Sequence, residues 1–146
     1  LKKTGLEFDE KIKASEEYCL FMQLSVTHKF GVINEPIVKY RILDNSLTQR
    51  SVGLWSRERN YTLNKIRLDN NFSQADFGGG FRSAYARADY YEAQNEFALG
   101  NRSKALKITS RIVLVDIRYT MFFFLLLLPR KLFYKLFKIK YGRNVE

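Results

Sequence analysis

Residues 8–21 read FDEKIKASEEYCLF, and residues 33–48 read INEPIVKYRILDNSLT. The first stretch predicts a helix that begins after Ser15, because serine is a common N-cap residue. Glu16 and Glu17 then place two carboxylates in the first turn, where they meet the positive end of the helix dipole. The paired glutamates at this helix start are the first candidate for chemistry in the chain.

Two short extended segments follow the helix. Residues 30–33 and 37–42 are rich in β-branched and aromatic side chains, and a turn that contains Pro36 separates them. The pattern therefore predicts a helix followed by two strands.

Together these stretches resemble family 2 glycosyltransferases. In that family, a short F-D-E approach leads to an acidic pair at a helix start, and an E-P-L-V-x-Y-R strand precedes a histidine and an N-S-L-T segment. The resemblance covers about residues 1–48, a third of the chain. It implies the end of an A-type catalytic domain within a longer bacterial protein. That enzyme would transfer a sugar from a nucleotide-sugar donor to a cell-envelope or lipid-linked saccharide.

The resemblance also implies which residues carry the reaction. An inverting transfer needs a carboxylate base that takes the proton from the acceptor hydroxyl, and Glu17 falls at that position. Glu16 would support the geometry of the acceptor or of a loop. Substrate binding is assigned to four residues of the second stretch, of which the arginine suits phosphate oxygens or a neighbouring carboxylate. These four are Tyr40, Arg41, Asp44 and Ser46.

Two positions depart from the family pattern. Glu17 stands where the family usually has aspartate, and Leu43 stands where many relatives have a histidine near the metal. Leucine cannot bind a metal, so the sequence predicts no metal site in this chain. The divalent cation that the resemblance implies, Mg²⁺ or Mn²⁺, is expected to bind mainly to the upstream part of the parent enzyme. Since the chain contains no Asp-x-Asp motif, this part alone should not turn over substrate.

Beyond residue 50 the sequence becomes helical in character. Residues 54–68 predict a helix, and the glycines at 78–80 predict a polar hinge. A helical hairpin should follow, with its turn at Leu99, Gly100 and Asn101. The predicted fold class is therefore an α/β fragment followed by a mostly α-helical extension.

The C-terminal part carries most of the evidence for a membrane. The net charge of +10 favours an anionic partner. The apolar run at residues 121–128 ends at Pro129 and is far shorter than the roughly 20 residues that span a bilayer. After it, apolar side chains that include exposed Phe133 and Phe137 should oppose a row of lysines on one helix. Alternatively, the apolar run is core and the tail is a solvated charged end.

These patterns predict three parts: residues 1–50 as the end of the catalytic domain, residues 51–128 as a helical extension, and residues 129–146 as a basic amphipathic tail on the membrane surface. The protein is expected in the cytoplasm, attached to the anionic inner face of the cell membrane. A competing hypothesis is a non-enzymatic membrane-peripheral interaction module, in which the acidic pair only caps a helix. Nucleic-acid binding is not predicted, because no recognised binding motif is present.

Overall fold

Six α-helices make up most of the part of the chain that the computed structural model describes. It describes residues 7–39, 51–70, 72 and 74–141, without the side chains of residues 52, 74–77 and 137–141. The helices are α1 (Glu16–Thr27), α2 (Val52–Asp69), α3 (Gln74–Leu99), α4 (Arg102–Val113), α5 (Thr120–Leu127) and α6 (Arg130–Tyr141). A 3-10 turn at Ile117–Tyr119 precedes α5. The predominance of helix predicted for the extension is confirmed.

The described residues of the segment after α1, 28–39, form no strand. Residues 28–39 are irregular and exposed, although the sequence predicted a strand at residues 30–33. The second predicted strand is also absent at residues 37–39, and its remaining residues, 40–42, lie outside the described part. A strand exists only when its backbone groups pair with another strand, and the described residues otherwise offer only helices, turns and short irregular segments. The α/β part of the predicted fold class is therefore not confirmed.

The contacts divide the chain into two compact units, residues 1–88 and residues 89–146. In the first unit α1 packs against α2. Its core contains Cys19 and Leu20 from α1 together with Leu63 and Ile66 from α2. The predicted division of the chain after residues 50 and 128 stays a prediction.

The glycine run that predicted a hinge lies inside a helix. Gly78, Gly79 and Gly80 belong to α3, which continues for 26 residues. A Cβ atom added at any of the three would meet nothing within 4 Å, so packing does not require glycine there. Each glycine costs a helix roughly 0.5–1 kcal/mol relative to alanine. The prediction of a hinge was wrong because the helix-forming residues that follow the glycines in α3 outweigh this cost.

The turn between α3 and α4 was predicted correctly. Gly100 has a φ angle of +99°, a left-handed conformation that glycine adopts without strain. The N–H of Asn101 donates to the carbonyl of Glu96 at 2.8 Å, and the N–H of Gly100 donates to that of Phe97 at 3.1 Å. These two bonds form a Schellman motif, which satisfies carbonyls at the end of α3.

The second unit has an aromatic core. The ring of Phe133, on α6, lies 4.4 Å from that of Phe97, and the ring of Tyr90 lies 4.7 Å from that of Phe122 on α5. Phe133 is only 4% exposed, so its predicted exposure on a membrane face was wrong. The side chain of Phe137 lies outside the described part. Within the part of the chain that the structure describes, no helix has the length and apolar character needed to cross a bilayer.

Candidate functional site

The predicted acidic pair lies in the first turn of α1. Ser15 occupies the N-cap position as predicted, but its side chain makes no capping hydrogen bond to its own helix. Glu17 is exposed and Glu16 is half-buried. Among the described residues, none donates a hydrogen bond or forms an ion pair with either carboxylate. Glu17 is therefore accessible to a molecule that approaches from solvent.

The chain leading into this pair is held by Glu58, a buried residue of α2. Its carboxylate accepts hydrogen bonds from the N–H of Lys13 at 2.9 Å, the N–H of Ala14 at 3.1 Å and the hydroxyl of Ser15 at 2.7 Å. A buried carboxylate is costly unless donors surround it, and these three supply that need. Glu58 thus fixes the backbone immediately before the acidic pair.

A second contact holds the same segment further upstream. The Asp9 carboxylate accepts hydrogen bonds from Lys65 Nζ at 2.7 Å, from the Tyr61 hydroxyl at 2.9 Å and from the N–H of Lys11 at 3.0 Å. The hydrogen bond from Lys65 is the main cause that lowers the pKa of Asp9 to about 2. The same hydrogen bond raises the pKa of Lys65, and the bond to Asp9 raises the pKa of Tyr61. Asp9 is therefore held as a carboxylate.

The first turn of α1 also contacts α2 through an aromatic ring. The guanidinium carbon of Arg59 lies 4.1 Å from the centre of the Tyr18 ring, within the range of a cation–π interaction. Tyr18 directly follows Glu17 in the sequence. Residues of α2 therefore contact the chain both directly before the acidic pair, at residues 13–15, and directly after it, at Tyr18.

Sequence reasoning did not find these holding residues. Glu58, Tyr61 and Lys65 are spaced three and four residues apart, so they share one face of α2. A polar face of this kind usually faces solvent, and a charged residue is seldom buried unless it is paired. The sequence drew attention only to Asp9, as part of the F-D-E approach. It gave no indication that Asp9 bonds to Lys65, 56 residues away.

The other predicted site residues belong to the second quoted stretch, residues 33–48. Tyr40, Arg41, Asp44 and Ser46 all lie outside the described residues, as does Leu43. In the described part, no group of three or more His, Cys, Asp or Glu side chains could hold a metal ion. The geometry of the candidate site is therefore that of the acidic pair and its support on α2.

Comparisons with known proteins were made on the whole chain. No protein-family model, curated protein or solved structure matches it. These comparisons therefore assign neither a family nor a function to the chain.

An apolar pocket also lies in the first unit. It has a volume of about 210 Å³ and is bordered by Met22 on α1, Leu63 and Ile66 on α2, and Phe81 on α3. The hydroxyl of Ser25, also at its wall, donates to the carbonyl of Met22. Sugar recognition requires several polar groups, so this apolar lining does not suit a saccharide.

Proposed function

We propose that this chain is the acceptor-side, C-terminal part of a family 2 glycosyltransferase, with Glu17 as its catalytic base. The proposal is supported by the resemblance of about residues 1–48 and by the hydrogen bonds of Glu58, which fix the backbone just before Glu17. A nucleotide-sugar would be the donor, and a saccharide or lipid-linked saccharide would be the acceptor. Mg²⁺ or Mn²⁺ would bind upstream, and Tyr40, Arg41, Asp44 and Ser46 would contact substrate.

The chemistry requires a base that is both accessible and well placed. The Glu17 carboxylate would accept the proton of the acceptor hydroxyl as that oxygen attacks the anomeric carbon and the nucleotide departs. A misplacement of about 1 Å can cost on the order of a hundredfold in rate. A fixed backbone at Lys13, Ala14 and Ser15 would limit that error. Because Glu17 has one methylene more than the usual aspartate, the acceptor pocket would have to be recessed to match.

The first test is the coding sequence upstream of Leu1. If it encodes alternating strands and helices with an Asp-x-Asp motif, the donor-binding half is present and the proposal is supported. If the gene instead starts near Leu1, the donor half is missing and the proposal fails.

If the upstream sequence supplies the donor-binding half, the second test measures sugar transfer by the protein that contains both parts. Loss of a general base usually lowers the rate by about 10²–10⁴, so Glu17→Gln should have an effect of that size. Glu10→Gln is the matched control, because Glu10 is an exposed glutamate in the same segment. Transfer by Glu17→Gln at the wild-type rate, with wild-type helix content, would remove Glu17 as the base.

A second candidate function is a non-enzymatic, membrane-peripheral interaction module. It is favoured by exposed apolar side chains in the second unit, among them Leu114 and Ile117. Under either function the protein would lie in the cytoplasm, at the inner face of the cell membrane. The transfer assay separates the two, because only the enzyme depends on the Glu17 carboxylate.

A further inference from the structure

Exposed apolar side chains gather where α4 turns into α5. This apolar corner comprises the loop after α4, the 3-10 turn and one side of α5, and its residues are 47% to 88% exposed. They are Leu114, Ile117, Met121, Phe124 and Leu127. From Ile117 onward the steps of four and three residues follow the helix period, which keeps these side chains close together.

The opposite side of α5 is already used by the core. Phe122 and Leu126 are buried, and α5 also packs against α4. All eight residues from Thr120 to Leu127 except the first are apolar. In a short helix that is apolar on both sides, one side packs against the protein core. The other side stays exposed to water unless a second apolar surface covers it.

The charges around the corner indicate which environment that is. The second unit, residues 89–146, contains eleven lysines and arginines and five acidic residues, of which Asp116 is the one that lies within the corner. Asp116 is paired with Arg118, whose Nη2 lies 2.6 Å from Oδ2. The corner therefore presents no unpaired negative charge, and an anionic surface would be attracted to the cations around it.

We propose that the apolar corner inserts into the boundary between headgroups and acyl chains of an anionic lipid bilayer. Insertion of this kind buries apolar side chains by about 5–10 Å, while neighbouring cations stay among the headgroups. Arg111 and Lys131 are exposed cations of the second unit and would supply those contacts. The corner would act in addition to the basic tail, and the proposal holds whether or not the protein transfers sugar.

The first experiment measures binding of the full chain to sedimenting vesicles of phosphatidylcholine and phosphatidylglycerol. The double variant Leu114→Ser, Ile117→Ser should bind at least about tenfold more weakly, because two large apolar side chains no longer enter the bilayer. The matched control is Val32→Ser, Ile33→Ser, which removes apolar residues that are 90% and 69% exposed in the first unit. This control should bind as the wild type does.

The second experiment detects insertion itself. A polarity-sensitive fluorophore is attached to Ile117→Cys, or to Ile33→Cys as control, while buried Cys19 stays unlabelled in the folded protein. With anionic vesicles, the probe at position 117 should shift to the blue and be quenched by brominated acyl chains. The probe at position 33 should change little.

Three results would overturn the proposal. Vesicle binding with the probe at position 117 still in water would mean that the basic tail alone adheres to the surface. Lack of binding to anionic vesicles would remove the bilayer as partner. A blue shift without lipid that grows with protein concentration would assign the corner to contacts between copies of the chain.

Discussion

The Glu58 carboxylate accepts a 2.7 Å hydrogen bond from the hydroxyl of Ser15, across 43 positions of sequence. Two backbone N–H groups, from Lys13 and Ala14, donate to the same carboxylate. The Glu58 side chain of α2 therefore accepts hydrogen bonds from three donors that would otherwise bond to water, all in the segment just before α1. The bonding is concentrated enough that a single substitution tests its contribution.

Glu58→Ala should lower the free energy of unfolding of the first unit by about 2–4 kcal/mol, because three donors lose a charged acceptor. Urea unfolding followed by the fluorescence of Trp55, the only tryptophan of the chain and one turn away on α2, measures this. Arg57→Ala, at an exposed neighbouring position, should change stability by less than about 0.5 kcal/mol. Equal stability of the two variants would contradict the described role of Glu58.

The hydrogen bonds of Asp9 predict a pH dependence. The folded-state pKa of about 2 lies below the ordinary value of 3.8, so the stabilisation is present above about pH 4 and is lost as the pH falls toward 2. Asp9→Asn should therefore lower stability by about 1 kcal/mol at neutral pH, after discounting for solvent screening. The loss of stability between pH 4 and pH 2 should also become smaller.

Urea midpoints at several pH values measure this effect, with Glu10→Gln as an exposed control. Lys65 sets the alkaline end of the pH range over which this ion pair stabilises the protein, because the hydrogen bond to Asp9 raises the pKa of Lys65. Its contribution is complete below its ordinary pKa and is lost when the pH rises past the raised one. An unchanged pH profile in Asp9→Asn would show that Asp9 is not the group responsible.

Two glycines should respond to alanine in opposite directions. Gly79→Ala should stabilise the protein by about 0.5–1 kcal/mol, since Gly79 is helical and its added Cβ meets nothing within 4 Å. Gly100→Ala should destabilise it by about 1–2 kcal/mol, because alanine is strained at a φ angle of +99°. Denaturation followed by circular dichroism compares them. A destabilising Gly79→Ala would show that the glycine run has a role besides forming the helix.

The two neighbouring cations at the start of α6, Arg130 and Lys131, should have different roles, one in stability and one in membrane binding. Arg130 Nη2 donates to the carbonyl of Phe97 at 2.9 Å and to that of Ala98 at 2.7 Å, at the end of α3. Arg130→Ala should therefore cost the second unit about 1 kcal/mol. Lys131→Ala, at an exposed position, should leave the melting temperature unchanged and weaken vesicle binding roughly fivefold. Similar melting temperatures for both variants would argue against a capping role for Arg130.

The helices were the part of the fold that sequence could predict, because their signals are local. Ser15 before two glutamates, Gly100 with Asn101, and Pro129 each marked a helix end that the structure confirms. Each of these residues acts on backbone within a few positions of itself. The same reasoning placed the acidic pair in the first turn of α1.

The support of the acidic pair could not be predicted in this way. Glu58 and Lys65 bond to residues 43 to 56 positions away, and nothing in their own sequence surroundings records those partners. The predicted strand at residues 30–33 failed for a related reason. Its β-branched composition was correct for a strand, but the pairing partner that a strand needs is a property of the whole fold.

Cys19 is the only thiol in the chain, and it is 1% exposed. An alkylating reagent reaches it only in molecules whose first unit has opened, so the labelling rate reads the equilibrium constant of that opening without denaturant. Because residues 89–146 contain no cysteine, the readout belongs to one unit alone. The labelling of Cys19 thus reports the stability of the helices that hold the acidic pair, in the native protein.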